Sequence, residues 1–470
     1  MKKNNLTEGS IVKSILALAV PIVFANILQT AYQLIDTFWV GRLGSAAIAA
    51  VTLSFPILFF MVSLGIGISI AGSVLIAQYK GKGDQYIIDK IAGQAVFLMI
   101  ILSTILSITG YFLSAPLMRL MGAKPEVLPG AIAYLKVSFL GFTFVYGFLA
   151  FQAMLRGVGI VKTPMFIVLG TVILNLILDP LFIFGYGIIP AQGVAGAAVA
   201  TVFTQGLAAI AGLTMLCSKR FEINLRLKNL RPDLKEIKRM IRLGIPSSAE
   251  QGSRGLGLAI LAILVATFGT EVIASYGIGV RVLSFIIIPA VGISMATSTL
   301  VGQNMGAGKI KRAEKIAHIS IGLSFISLTI AGFILFVSAE SISRFFIPGN
   351  EGVIRSSALF IKIMALTFGF MGIQEIINGV LRGSGKTFDA MVLAIITLWI
   401  LRFPLAYLLS KHTALAEIGI WWAFPLSNVL AASVSVIWLL KSNWKSKRLT
   451  EEDILRDEIS EETMVEDAMQ

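Results

Sequence analysis

The sequence predicts an all-α polytopic membrane protein, with twelve transmembrane helices in two six-helix bundles related by a pseudo-two-fold along the membrane normal. Three observations carry this. Hydrophobic residues fill 56% of the 470 positions and charged residues only 14%, with a mean hydropathy of +0.85; a soluble domain carries about 25% charged residues. The apolar residues come in blocks of roughly 20 or more, enough for a helix to cross a bilayer, and the short alternating segments of a β-barrel do not dominate. Finally, several short segments recur at a single offset along the chain.

The blocks place spans near residues 14–39, 48–78, 90–116, 131–155, 163–185, 193–217, 239–267, 273–304, 314–338, 356–381, 388–409 and 416–440. The organisation that follows is an N-terminal bundle over 1–217, an amphipathic linker over 218–238, a C-terminal bundle over 239–440 and a charged tail over 441–470, acidic beyond Glu451. The 44 glycines suit close helix packing in a membrane. The leader MKKNNLTEGSIVKS is short and polar, and the span behind it is too long for a signal-peptide core, so no cleavable signal is expected.

A net charge of +13 does not make this a nucleic-acid binder. The bases gather in short connectors: Lys80, Lys82, Lys90, Arg156, Lys162, the linker, Lys309, Lys311, Arg312, Lys315, Arg382 and Lys386. All fall on one side if the N-terminus is cytoplasmic. The positive-inside rule then puts both termini inside a multi-pass protein of the cell (inner or plasma) membrane. The single cysteine, Cys217, excludes an internal disulfide, and two histidines are too few for a His-ligated metal cluster. No cofactor is expected, and the chain reads as a monomer.

The two halves repeat each other. LIAQYKGKGD at Gln78 resembles LVGQNMGAGK at Gln303, AMLRGVGIVKTP at Arg156 resembles GVLRGSGKTF at Arg382, and LAVPI at Pro21 resembles LGIPS at Pro246, each about 225 residues apart. A duplicated six-helix unit has an even number of spans, so both copies share one orientation, a plan that secondary transporters use.

Few acids interrupt the apolar runs. In the N-terminal half they are Asp36 and Asp179, and an ionised Asp at a helix centre costs about 2.5–3.5 kcal/mol on insertion scales. Spans one and five run in the same direction, and both acids lie about one turn from the end. Asn175 precedes Asp179 by four residues and shares its face. Pro180 donates no backbone N–H. Thr201 reaches a comparable depth in span six, which runs the other way. Two carboxylates, an amide and a hydroxyl thus converge in one bundle. Such oxygens suit Na⁺. Alternatively, two close carboxylates in a low dielectric cannot both ionise easily, so one carries a proton. The plain alternative is a structural hydrogen-bond network. The matching positions of the second half are apolar, near Leu261 and near Phe403 or Leu405, so building the six-helix unit does not require the acids.

Gln29 and Tyr32 share a face of span one with Asp36. With Gln152 and Met154 they are candidates for a substrate cavity, whose uncharged polar and aromatic wall suits bulky amphipathic cations; helix packing is the plain reading of each. In the second half, Glu250 and Arg254 are spaced for a helical ion pair, and Glu375 and Asp389 are further acids in the spans.

The paired LRG segments at Leu155–Gly157 and Leu381–Gly383, the paired Gln-x-x-Gly segments, Pro21 with Asp36, and the Asn175–Asp179–Pro180 run resemble the multidrug and toxic compound extrusion (MATE) family over roughly residues 10–440. The resemblance implies two six-helix bundles around a central cavity, alternating access, and export of amphipathic organic cations and drugs in exchange for Na⁺ or H⁺. It implies that Asp36, Asn175, Asp179 and Thr201 hold the coupling cation, as in the archaeal and DinF-like branch, and that bending at Pro21 follows cation loading. The acid of the NorM-like branch in span ten is missing, since its position falls near Met371. The rival within the superfamily is a lipid-linked precursor flippase, with a cationic cavity; here the intramembrane bases are chiefly Arg254, Arg281 and Arg402. An intramembrane enzyme is the remote rival, and no nucleophile–base pair stands out for it.

Overall fold

The computed structural model describes residues 6–218, 221–446 and 449–450. In chain order the helices are α1 (Ile11–Gly41), α2 (Ser45–Lys82), α3 (Gln85–Leu120), α4 (Leu128–Leu140), α5 (Phe142–Val158), α6 (Lys162–Phe184) and α7 (Val194–Cys217). After a short 3₁₀ helix (Leu227–Leu230) come α8 (Leu234–Ala266), α9 (Thr270–Gly306), α10 (Ile310–Phe346), α11 (Glu351–Ala365) and α12 (Phe368–Gly383). The chain then forms α13 (Thr387–Ile395), a π-helical segment (Ile396–Arg402), α14 (Phe403–Lys411) and α15 (Glu417–Lys441). Among the described residues the only extended pairing is the lone bridge Tyr186–Ile189.

Among the described residues, ten helices are long and apolar enough to cross a membrane, or twelve if each of two bent pairs forms one span. This is the multi-pass all-helical fold the sequence predicts. Most of the helices overrun the expected spans by a few residues because their polar ends continue past the apolar stretch, while α6, α7 and α15 match theirs to within one residue. Large apolar side chains such as Phe112 and Phe333 stay exposed, as suits a surface that meets acyl chains. The acidic tail beyond Glu451 lies outside the described residues.

The bent pairs occupy equivalent places in the two copies. α4 and α5 meet at 46° about Gly141, and α11 and α12 meet at 55° across Leu366 and Thr367. A side chain at Gly141 would sit 2.3 Å from Val202 of α7, so only glycine lets the bend approach that helix. A second contact repeats as well. The Ser69 hydroxyl donates to the Leu149 carbonyl at 3.4 Å, and Ser294, one offset later, donates to the Glu375 carbonyl at 2.7 Å.

The chain forms two compact units. One takes the chain up to Val20, Val74–Ile88 and the chain from Leu256 onward; the other takes Pro21–Ser73 and Asp89–Gly255. Four helices therefore contribute to both units, and α1 divides at Pro21. In the second unit Phe139, Phe142 and Tyr146 pack in sequence, and the Tyr146 hydroxyl donates to the Met61 carbonyl at 2.6 Å. In the first, Phe360 stacks on Trp421 at 4.2 Å beside Tyr276, tying α11 to α15 and α9.

Within the first unit the two Gln-x-x-Gly segments cross. A Cβ at Gly81 of α2 would lie 1.9 Å from the Gln303 carbonyl of α9, and one at Gly306 would lie 1.8 Å from the Gln78 carbonyl. The contact is reciprocal, as two copies of one motif facing each other require. Small residues allow this backbone approach. The Gln78 amide donates to the Gly383 carbonyl at 3.0 Å, while its oxygen accepts from the Leu449 backbone N–H at 2.6 Å. Leu449 is buried against Gly385, whose φ of +87° suits glycine. At the other end of the chain, the Leu6 carbonyl accepts from Asn304 of α9 at 3.3 Å.

Candidate functional site

The N-terminal acids lie in the second unit, where α1, α6 and α7 present three stacked layers. One turn along each helix from the acids is an apolar layer. Val40 follows Asp36 by four residues, Ile183 follows Asp179 by four, and Ala197 precedes Thr201 by four; all three are buried in one cluster with Ala47. Tyr134 of α4 and Trp39 pack against it, and Trp39 meets Phe184 edge to face at 6.3 Å.

The middle layer holds the acids. Asp36 and Asp179 are immediate neighbours, close enough to interact directly through their side chains. The Thr201 hydroxyl donates to Asp36 Oδ2 at 3.4 Å, and the Asn175 amide donates to Asp179 Oδ1 at 2.9 Å. Asn175 and Asp179 are fully buried and Asp36 is half-buried. Asp36 Oδ1, Asp179 Oδ2 and Asn175 Oδ1 are buried and accept no hydrogen bond from a protein donor. Three acceptor oxygens facing a low-dielectric interior suit a cation or a shared proton.

On the far side comes a hydroxyl layer. The Thr204 hydroxyl donates to the Thr201 carbonyl at 3.0 Å, so the Tyr32 hydroxyl, 2.7 Å away, donates to Thr204. The chain Tyr32–Thr204–Thr201–Asp36 thus links the substrate-face candidates to the acids. Thr204 was not singled out from the sequence, although it stands three residues from Thr201 on one helix face. Tyr134 was also missed; its ring lies within electrostatic reach of both acids, and only the packing of α4 reveals it.

The remaining candidates are placed as follows. Tyr32 is buried, Gln29 is exposed, Gln152 is half-buried and Met154 is fully buried in α5. Pro21 is buried inside α1, where the two compact units divide. Glu250 is fully buried and pairs with Arg254 at 3.0 Å along α8, the ion pair their spacing suggests. Glu375 is likewise committed, at 3.0 Å from the Arg382 of the second LRG segment, which also donates to Ser294. Asp389 lies 3.8 Å from Lys386. Arg402, at the end of the π-helical segment, donates to Asn428 at 2.6 Å and Ser427 at 3.0 Å, with its guanidinium 4.8 Å from the Phe424 ring centre. Glu250, Glu375 and Asp389 in the C-terminal half thus meet bases, while the N-terminal pair meets an amide and a hydroxyl.

The sequence matches the MatE family twice, over residues 21–181 and 246–408, together more than half the chain. The two matches begin at Pro21 and Pro246, the prolines that anchor the internal repeat. The chain is 29% identical over 456 residues to the probable multidrug resistance protein YpnP of Bacillus subtilis, covering 96% of this chain and 99% of that one. It is 31% identical over 435 residues to the probable multidrug resistance protein NorM of Thermotoga maritima, covering 93% of each. Its structure superposes with a TM-score of 0.89 on a MATE protein crystallised in complex with MaL6, at 25% identity, over 94% of this chain and 98% of the other. A twice-matching family signature on a duplicated multi-pass helical fold leaves one conclusion: the chain belongs to the MATE family, whose members are transporters and not enzymes.

Proposed function

We propose that the chain is a secondary active antiporter that exports amphipathic organic cations and drugs in exchange for Na⁺ or H⁺ by alternating access, coupling through Asp36 and Asp179. The observation that carries this reading is the buried layer in which Asp36, Asp179, Asn175 and Thr201 meet, closed on one side by Val40, Ile183 and Ala197. Both termini are cytoplasmic, the protein works as a monomer, and its site is closer to the archaeal and DinF-like branch than to the NorM-like one, because the position that the resemblance gives for the latter's acid falls near Met371.

The chemistry follows from the layers. Two adjacent carboxylates hold one unit of positive charge far better than none, so the pair takes a proton or a sodium ion as substrate. Thr201 and Asn175 orient one oxygen of each acid and leave the others free for the cation. Loading removes the repulsion between Asp36 and Asp179 and lets α1 and α6 close together. α1 then bends at Pro21, where the compact units divide. The path from Asp36 through the Thr201 hydroxyl and carbonyl and the Thr204 hydroxyl to Tyr32 carries the change to the cavity face with Gln29 and Gln152, and to the buried Met154 beside it in sequence. Each charge entering down 100 mV supplies about 2.3 kcal/mol.

The test is transport in proteoliposomes under separately imposed Na⁺ and H⁺ gradients, comparing the wild type with Asp36→Asn and Asp179→Asn. Gradient-driven efflux of a cationic dye is expected from the wild type and not from either variant. Retained efflux in both variants refutes the coupling assignment. No organic-cation movement under either gradient favours the flippase.

A further inference from the structure

The linker and the first turns of α8 show a division of charge that transport does not explain. The two acids at the start of α8, Asp233 and Glu236, turn inward. Asp233 pairs with Lys90 of α3 at 2.6 Å, and the buried Glu236 pairs with Arg239 at 3.0 Å. Gln94 of α3 then fixes the linker backbone. Its amide donates to the carbonyls of Asn229 at 2.8 Å and Arg231 at 2.7 Å, and its oxygen accepts from the Asp233 N–H at 2.9 Å. A Cβ at Gly93 would stand 2.2 Å from the Asn229 carbonyl, so the linker lies directly on the α3 backbone. The inner face of α8 continues through Met240 and Leu243, both buried.

The outer face is different. Lys235, Lys238 and Arg242 are exposed at spacings of three and four and form one stripe. Leu234, Ile241 and Ile245 are also exposed, at spacings of seven and four, and form an apolar stripe beside it. Leu234 is 81% exposed at the start of a helix that goes on to span the membrane. Apolar side chains next to lysine and arginine suit the boundary between acyl chains and headgroups. There the aliphatic residues dip inward and the long basic stems reach back to phosphate. Because Asp233 and Glu236 are neutralised on the inner side, the outer face at the start of α8 offers only positive charge, next to a linker backbone that Gln94 fixes.

We propose that this face of the linker and α8 is a binding surface for anionic phospholipid headgroups, with Leu234, Ile241 and Ile245 seated among the acyl chains and Lys235, Lys238 and Arg242 on the phosphates. The partner is lipid: a free anion would engage the bases but leave the apolar stripe without a partner. This rests on the membrane-spanning fold and not on which ion drives transport.

The test uses the full-length protein in a nonionic detergent, titrated with phosphatidylglycerol, phosphatidylcholine or inorganic phosphate, with retained adducts read by native mass spectrometry. The wild type is expected to retain phosphatidylglycerol in preference to phosphatidylcholine. Each base removed weakens that retention roughly five-fold, so K235Q/K238Q/R242Q weakens it about a hundredfold. A control, K82Q/K311Q/K315Q, removes as much charge from other exposed positions and is expected to bind as the wild type does. If the triple variant is not monodisperse, K238Q alone carries the test at about five-fold. Unchanged retention in K235Q/K238Q/R242Q, or in K238Q where that single variant stands in for it, equal binding of phosphatidylcholine, an equal loss in the control, or equal occupancy by inorganic phosphate each overturns the proposal.

Discussion

Placing a methyl group at Gly81 tests the crossing of α2 and α9. The new Cβ of Gly81→Ala would lie 1.9 Å from the Gln303 carbonyl oxygen. Ordinary contact begins near 3.4 Å, so the helices must part by about 1.5 Å. The obstacle is backbone, which cannot rotate aside as a side chain does. Overpacking of this kind costs about 1–3 kcal/mol, and the upper end applies here. Alanine is a better helix former than glycine by about 1 kcal/mol, which opposes the loss. A net destabilisation of about 2 kcal/mol is expected. Gly306→Ala meets the Gln78 carbonyl at 1.8 Å and is expected to cost the same. The two obstacles lie on one crossing, so the separation forced by the first methyl makes room for the second. The double variant is therefore expected to lose clearly less than the sum of the singles. Reversible unfolding in mixed micelles, run as a double-mutant cycle, measures this. Losses below about 0.5 kcal/mol for either single variant, or strict additivity in the pair, would refute the reciprocal crossing.

Three further outcomes follow from local contacts. Asn350 caps α11 by accepting from the Val353 N–H at 3.0 Å, so Asn350→Ala is expected to lower stability by about 1 kcal/mol in the same unfolding assay. Gln94→Ala removes three hydrogen bonds to the linker; limited proteolysis between residues 223 and 233 is expected to speed up several-fold, and unchanged cleavage would show that the clasp is dispensable. The Asp233 carboxyl is held below its ordinary value of 3.8, chiefly by the hydrogen bond from Lys90 and further by the N–H groups of Glu236 and Lys235. A depressed carboxylate stabilises above its unfolded pKa and loses that contribution as the pH falls through its folded one. Linker protection should therefore hold from neutral pH down to about 4 and decline below. Asp233→Asn is expected to be less protected at neutral pH and to converge with the wild type in acid; parallel pH curves for the two would contradict this.

The spans are legible in the sequence because each apolar run must satisfy its own backbone in lipid, so hydropathy and helix length coincide. The bends at Gly141 and at Leu366–Thr367 are not legible. No proline marks either, and the apolar pattern runs through them. The π-helical turn ending at Arg402 is equally silent, since an extra residue in a helical turn leaves composition unchanged. At the site, Asp36, Asn175 and Asp179 are legible because charged and amide groups stand out in apolar runs, and Thr201 only because its depth on the oppositely running span matches theirs. Thr204 and Tyr134 do not stand out: the threonine hydroxyl bonds to its own helix and interrupts nothing, and the tyrosine stands on α4, away from any acid in the sequence. The repeat identifies the Gln-x-x-Gly segments as equivalent. That they face each other is a matter of tertiary packing.

The seat of Leu449 bears on how the protein can be shortened or tagged. Its N–H holds the Gln78 side chain and its side chain covers Gly385, eight residues past the end of α15. A chain cut at Lys441 keeps every membrane span, yet it uncovers a glutamine that also holds the Gly383 carbonyl. Residue 450 is thus the earliest safe place to end a shortened chain, and a fusion partner joined before it would compete with the protein's own structure.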